Sequence, residues 1–315
     1  MNIDERWMRW TLLEAGTKTA SKVLQKVVGN VSVTFAHTFL ATLVIGLVQT
    51  ITGLVVTRAK KIALWPDRES VIGACLFGLF AVLSTVMGFG AFYYGGDMGV
   101  NTFIITLSIV PGALIDWCFF GKRLVVREWV GVGVAVLAGY TILGWPSLQE
   151  LTQLPLWVWL SVGTMFTVAI NQGITQKVKK IDPFVKNFWG GLTTVVLCLT
   201  AIIVLGKGST LTDFSGTAKK LWGVSAVIGV IVVGMWAFNL LSYKGGASIA
   251  LKKLVMNGTY LTTAMVCGVL FFGEPVNLEK GAGVVLYLAA FVLMDKNTWE
   301  FVSRPRAVTA NAATS

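Results

Sequence analysis

Ten long apolar stretches, joined by short polar connections, set the limits on how this chain can fold. They run from Trp10 to Val28, Val31 to Thr57, Val71 to Tyr94, Val100 to Phe120 and Trp129 to Trp145. The second five run from Leu156 to Thr175, Phe184 to Leu205, Leu221 to Leu241, Ala247 to Phe272 and Gly281 to Met294. A bilayer needs about 20 apolar residues to be crossed by a helix. Inside lipid the backbone must satisfy its own hydrogen bonds, so stretches of this length read as transmembrane helices. Composition agrees: 55% of the 315 residues are hydrophobic and 13% charged, with mean hydropathy +0.73. A soluble surface needs about twice that charge. The chain reads as an all-α polytopic membrane protein of ten transmembrane helices.

The net charge of +11 resembles a nucleic-acid signal until the basic residues are placed. Lys and Arg concentrate in the termini and in the connections after the second, fourth, sixth and eighth stretches, for example Arg58, Lys60, Lys61, Arg68, Lys177 and Lys180. That bias puts both termini in the cytoplasm. The expected partners are the lipid bilayer and a small molecule, with no nucleic acid, and the chain is a monomer or homodimer. The first stretch lacks the uninterrupted apolar core of a secretory leader. Short loops and no targeting segment point to a prokaryotic plasma membrane, with an organelle left open.

Several chemistries are excluded. His37 is the one histidine, so no histidine metal cluster can form. Cys75, Cys118, Cys198 and Cys267 lie in apolar runs without a Cys-x-x-Cys pair and read as small buried apolar residues. No nucleophile elbow, phosphate loop or His-Glu-x-x-His occurs. No catalytic residue, metal or cofactor is expected, and the chain is read as a non-enzyme.

The halves resemble each other. Phe35-Ala36-His37-Thr38-Phe39 aligns with Phe184-Val185-Lys186-Asn187-Phe188, and Phe119-Phe120-Gly121-Lys122 aligns with Phe271-Phe272-Gly273-Glu274. The second offset also pairs Gly131 with Gly283. Five stretches per half is an odd number, so the second half must enter from the opposite side. The repeat is then inverted, a design associated with alternating access. The expected units are residues 1–147 and 148–297, followed by a disordered cytoplasmic tail over 298–315.

On these residues the chain resembles the drug/metabolite transporter superfamily, EamA type. The carriers of the resemblance are Phe119 to Leu124, Trp129 to Gly133 and Leu137 to Gly139 in the first half. In the second they are Leu270 to Glu274 and Lys280 to Gly283. Glu274 fits the family's Leu-Gly-Glu-like turn, whereas Lys122 stands where the first half would carry Glu. The resemblance implies two inverted five-helix repeats around a central cavity. It implies no particular substrate, since members carry sugars, amino acids, nucleotide sugars and phosphorylated metabolites.

Charges and amides inside the spans are the candidate cavity residues, because lipid tolerates them poorly. Glu14, Lys18, Lys22 and Lys26 recur every four residues and form one stripe of the first helix. That stripe faces a bundle interior or lies on the membrane surface. Lys252 and Lys253 lie in the ninth stretch, the latter in line with Asn257 and Tyr260. Their place is similar to that of the basic pair of the plastid triose-phosphate and phosphate translocators; the alternative is snorkelling to the interface. Thr164, Thr167, Asn171 and Thr175 form a polar stripe, and Trp236 and Asn239 offer an aromatic wall and an amide. Asp116 either couples protons or pairs with Lys122 or Arg123. Pro111 with Gly112 is expected to kink the fourth helix.

The function these residues suggest is a secondary transporter for a small polar, anionic metabolite. The alternatives are a carrier of neutral or zwitterionic sugars or amino acids, and a membrane-embedded lipid-processing enzyme.

Overall fold

The structure is a computed structural model that describes residues 5–121, 125–178, 180–213, 215–244, 249–294, 299–300 and 303. At some helix positions only the backbone is described, among them Asp116, Phe119, Phe120, Lys252 and Lys253. Most of the tail expected over 298–315 lies outside the described residues.

Among the described residues all regular structure is helical: α1 (Glu5–Val31), α2 (Ala36–Ala59), α3 (Arg68–Tyr93), α4 (Met98–Thr106), α5 (Ile109–Phe120), α6 (Val126–Ile142), α7 (Leu148–Thr152), α8 (Leu156–Lys177), α9 (Pro183–Val204), α10 (Ser209–Thr212), α11 (Gly216–Lys244), α12 (Ile249–Phe272) and α13 (Leu278–Met294). Among the described residues, six helical segments are long and apolar enough to cross a membrane: Ala36–Ala59, Arg68–Tyr93, Met98–Ile115, Pro183–Val204, Gly216–Asn239 and Val255–Phe272. Large apolar side chains such as Val204, Leu270 and Leu278 stand exposed on the outside. This is the build of an all-α integral membrane protein.

Local chemistry sets the helix ends. Asp67, Asp97 and Asp182 precede α3, α4 and α9, and their carboxylates accept from the N–H groups of Ser70, Val100 and Phe184. Such caps satisfy donors that the first helical turn leaves open. Gly121 and Gly273, the matched glycines of the two Phe-Phe-Gly runs, follow α5 and α12 with φ of 67° and 63°. Both halves therefore stop a helix with the left-handed residue that only glycine adopts without strain.

The fourth apolar stretch is interrupted, and the interruption falls before the proline. α4 ends at Thr106 and α5 begins at Ile109. Pro111 has no N–H to offer the Leu107 carbonyl, which accepts instead from Val110 N at 2.9 Å. The helix tightens for one turn and restarts.

The most extensive helix pairings are α2 on α9 and α6 on α13. α1 lies along α11 and α12, while α3 lies along α8, and α5 and α4 also touch α8. α11 packs on α2, and α3 packs on α9. Small residues allow the closest approaches, as membrane helix interfaces require. Gly46 lies against Thr194, Gly191 against Thr50 and Gly53 against Phe188. One apolar core gathers Leu40, Leu43, Phe89, Leu221 and Ile228; another gathers Phe103, Ile142, Leu261 and Tyr287.

Candidate functional site

The charged stripe of α1 points inward. Leu12 and Leu13, on the opposite face, are exposed, whereas Glu14, Lys22 and Lys26 are buried. The neighbours on α11, α12 and α3 receive the stripe. Glu14 is fully buried; Asn239 Nδ2 of α11 donates to its Oε1 at 2.8 Å, and Lys18 Nζ lies 3.6 Å from the same oxygen. Lys18 also reaches Met256 Sδ of α12 at 3.1 Å. The next residue of α1, Thr19, shares a hydroxyl hydrogen bond of 2.6 Å with Thr263 of α12. Lys22 is only 4% exposed, with its ammonium 4.8 Å from the centre of the Phe92 ring. Lys26 pairs with Glu274 and lies 4.7 Å over Phe272.

A further buried cation lies on α9. Lys186 sits in the first turn of α9, which Asp182 caps. Its residue is 9% exposed, and its Nζ donates to Thr175 Oγ1 of α8 at 2.8 Å. The same ammonium lies 3.7 Å from the Phe77 ring of α3 and 4.7 Å from the Trp236 ring of α11. Those rings meet edge to face at 4.8 Å. Cations over aromatic faces are stabilised by the ring quadrupole, more so once desolvated. Lys186, Phe77, Thr175, Asn187, Trp236 and Asn239 line a cavity of about 40 Å³. A water needs about 10–15 Å³ by this measure, so the cavity suits a few waters. Asn239 lines this cavity and also binds Glu14, joining it to the α1 stripe. Among the described residues, no carboxylate stands within salt-bridge reach of Lys22 or Lys186.

The structure thus gathers Lys18 and Asn239 around Glu14, and Trp236 beside Lys186. Asn171 is buried on α8, and its Oδ1 has no hydrogen-bond partner among the described residues. The hydroxyls of Thr164, Thr167 and Thr175 donate to carbonyls of their own helix, so that stripe makes no hydroxyl bridge to another helix except Thr175 with Lys186. Asn257 donates to the Tyr287 hydroxyl at 3.2 Å and belongs to the α12–α13 contact. Tyr260 is buried in a small cluster with Ala15 and Met256. The side chains of Lys252, Lys253 and Asp116 lie outside the described residues.

Lys186 is the residue that sequence reasoning passed over, as one letter in the repeat. The signal was available: a single charge three residues into an otherwise uncharged run, flanked by Phe184, Phe188 and Trp189.

No family model matches the sequence, and no curated protein matches it. Among solved structures the chain is similar to a protein known from its crystal structure, with a TM-score of 0.58 and 14% identity over 93% of this chain and 99% of the other. The likeness is one of fold, and it spans nearly the whole of both chains.

Proposed function

We propose that the chain is a secondary transporter of the drug/metabolite type, which carries a small polar anion through the polar interior between its two halves. The observation that carries this reading is the charge balance among the described residues of the buried site. Lys18, Lys22 and Lys186 supply three ammonium groups, and Glu14 is the carboxylate beside Lys18. Burying an unpaired charge is costly, by several kcal/mol. A phosphate or carboxylate ligand would offset that cost. The Phe77 and Trp236 rings hold Lys186 meanwhile, as a neutral surface that an anion can outcompete.

Alternating access rests on an inverted repeat, in which α1, α2, α3, α4–α5 and α6 correspond to α8, α9, α11, α12 and α13. Ten spans follow, with both termini in the cytoplasm. The helix pairings support this correspondence, because each cross-pairing has its exchanged partner. α1 on α11 answers α8 on α3, and α2 on α11 answers α9 on α3. α2 on α9 and α6 on α13 answer themselves.

A zwitterionic substrate is the second reading. Asn239 favours it, since it links the cationic cavity to the Glu14 carboxylate and so places both signs of charge on one path. A ligand-induced thermal-shift screen separates the two readings. Phosphate esters, carboxylates, amino acids and free sugars would be tested on the purified protein and on its Lys186→Gln variant. Binding only the folded state raises apparent stability by mass action. Shifts from simple anions that disappear in Lys186→Gln support the anion carrier. Shifts from amino acids alone favour the zwitterion, and shifts from free sugars that survive in the variant overturn both.

A further inference from the structure

The end of the bundle opposite the termini carries a group of charges that the substrate site does not use. Glu274 stands in the turn after α12, immediately beyond Gly273. Its carboxylate accepts from the backbone N–H groups of Met98 and Gly99, the first residues of α4, the latter at 3.1 Å. It also pairs with Lys26 in the last turns of α1. Beside it, Lys280 in the first turn of α13 donates to Asp97 Oδ2 at 2.6 Å and to the Pro275 carbonyl at 2.8 Å. The other Asp97 oxygen caps α4 through Val100 N at 2.9 Å. The Lys26, Glu274 and Lys280 side chains are no more than 10% exposed.

Both ion pairs join residues before position 100 to residues after 270, and so cross between the halves. At the terminal end Lys177 pairs with Glu69 across the halves, at 3.7 Å and with side chains 69% and 77% exposed. Such a solvated pair holds little. The counterpart of Glu274, Lys122, lies outside the described residues, but the counterpart of Lys280 is described. Glu128 is the sequence counterpart of Lys280, and its carboxylate serves Val125 N and Arg127 within its own turn.

We propose that Glu274 is the latch of a gate: with Lys26 and the α4 amides it holds the non-cytoplasmic end shut, and that end opens only when these contacts part. The gate rests on the transporter reading, but its test needs no substrate. Cys267 packs just beneath the latch, against Phe92 and Met98, and is half-buried. Cys198 is fully buried in the core that also holds Leu40 and Phe89. Each would be kept as the only thiol, the remaining cysteines becoming Ser. The full chain in lipid nanodiscs would then be treated with a small charged thiosulfonate reagent.

Glu274→Gln is expected to speed labelling of Cys267 by about a hundredfold or more, the order expected when one partner of a buried pair loses its charge. Cys198 should stay unreactive. Lys26→Gln, which leaves the α4 amides bonded to Glu274, should act in the same direction and decides the matter where Glu274→Gln does not fold. Equal acceleration at both thiols would make Glu274 an element of general stability and overturn the latch. Unchanged Cys267 labelling in a folded variant would overturn it as well. A failed latch leaves the thermal-shift response of the substrate site untouched, so the two readings fail separately.

Discussion

Gly131 and Met294 meet across the α6–α13 seam so closely that even a β-carbon on Gly131 would overlap the Met294 side chain. The contact has a partner with the halves exchanged: Gly283 lies against Ile142. Ala290 O and Ala138 O complete the two approaches, at 3.1 and 3.3 Å from the position a β-carbon would take. Gly131→Leu and Gly283→Leu should each destabilise the protein by about 1–3 kcal/mol, the usual cost of overpacking. Gly133, two residues along α6, has open space around it and accepts Leu without loss. Thermal unfolding in detergent of the three variants checks the contrast; equal behaviour at 131 and 133 would contradict it.

Lys22 and Lys186 should be dispensable for folding and needed for function. Replacing a buried charge with an apolar side chain of similar volume is often neutral or stabilising. Lys22→Met and Lys186→Met should therefore melt no lower than the parent. Their affinity for an anionic ligand should fall by about tenfold or more, the loss of one charged hydrogen bond of about 1.5–3 kcal/mol. Titration calorimetry with the ligand found by thermal shift supplies the number.

Lys252 and Lys253 give a further outcome. They occupy adjacent positions of α12, and both serve the substrate if the ninth stretch lines the cavity. Lys252→Ala or Lys253→Ala should abolish uptake into proteoliposomes while leaving the gel-filtration profile unchanged. Full uptake in both variants removes the pair from the site.

Asp97 has a readable pH signature. Burial pushes its carboxyl up, but hydrogen bonds with the Glu274 side chain and from Lys280 and Val100 N–H, together with the Lys280 charge, outweigh burial and hold it below the ordinary 3.8. A carboxyl with a depressed value contributes stability above its unfolded value and loses that contribution as pH falls through the folded one. The melting difference between the parent and Asp97→Asn should therefore be level down to about pH 4 and shrink below it. A difference that already narrows between pH 7 and 5 would contradict the assignment.

The all-helical apolar build and the inward stripe of α1 were legible because apolar length and a four-residue period are local properties of the chain. The break between α4 and α5 was half legible. Pro111 announces a defect, but the defect lies one turn earlier, where the missing N–H leaves its carbonyl. The partners were not legible. Lys186 is held by Phe77 and Trp236, from helices that neighbour α9 only in the fold. Periodicity says which face of a helix looks inward and nothing about what it will meet. Asn257 shows the same limit: its amide is bound to Tyr287, a contact that no spacing within α12 announces.

The inward stripe of α1 also bears on how the protein is made. Asn239, Met256 and Glu274, which meet Glu14, Lys18 and Lys26, are synthesised more than 200 residues after α1. Until they emerge, each lysine at bilayer depth carries an insertion penalty of about 2.5–3.5 kcal/mol with nothing to offset it. On the transporter reading α1 should then settle only after α11 and α12 are made. It would then wait at the membrane surface until α11 and α12 arrive, and a nascent chain truncated before Gly216 should leave α1 open to protease.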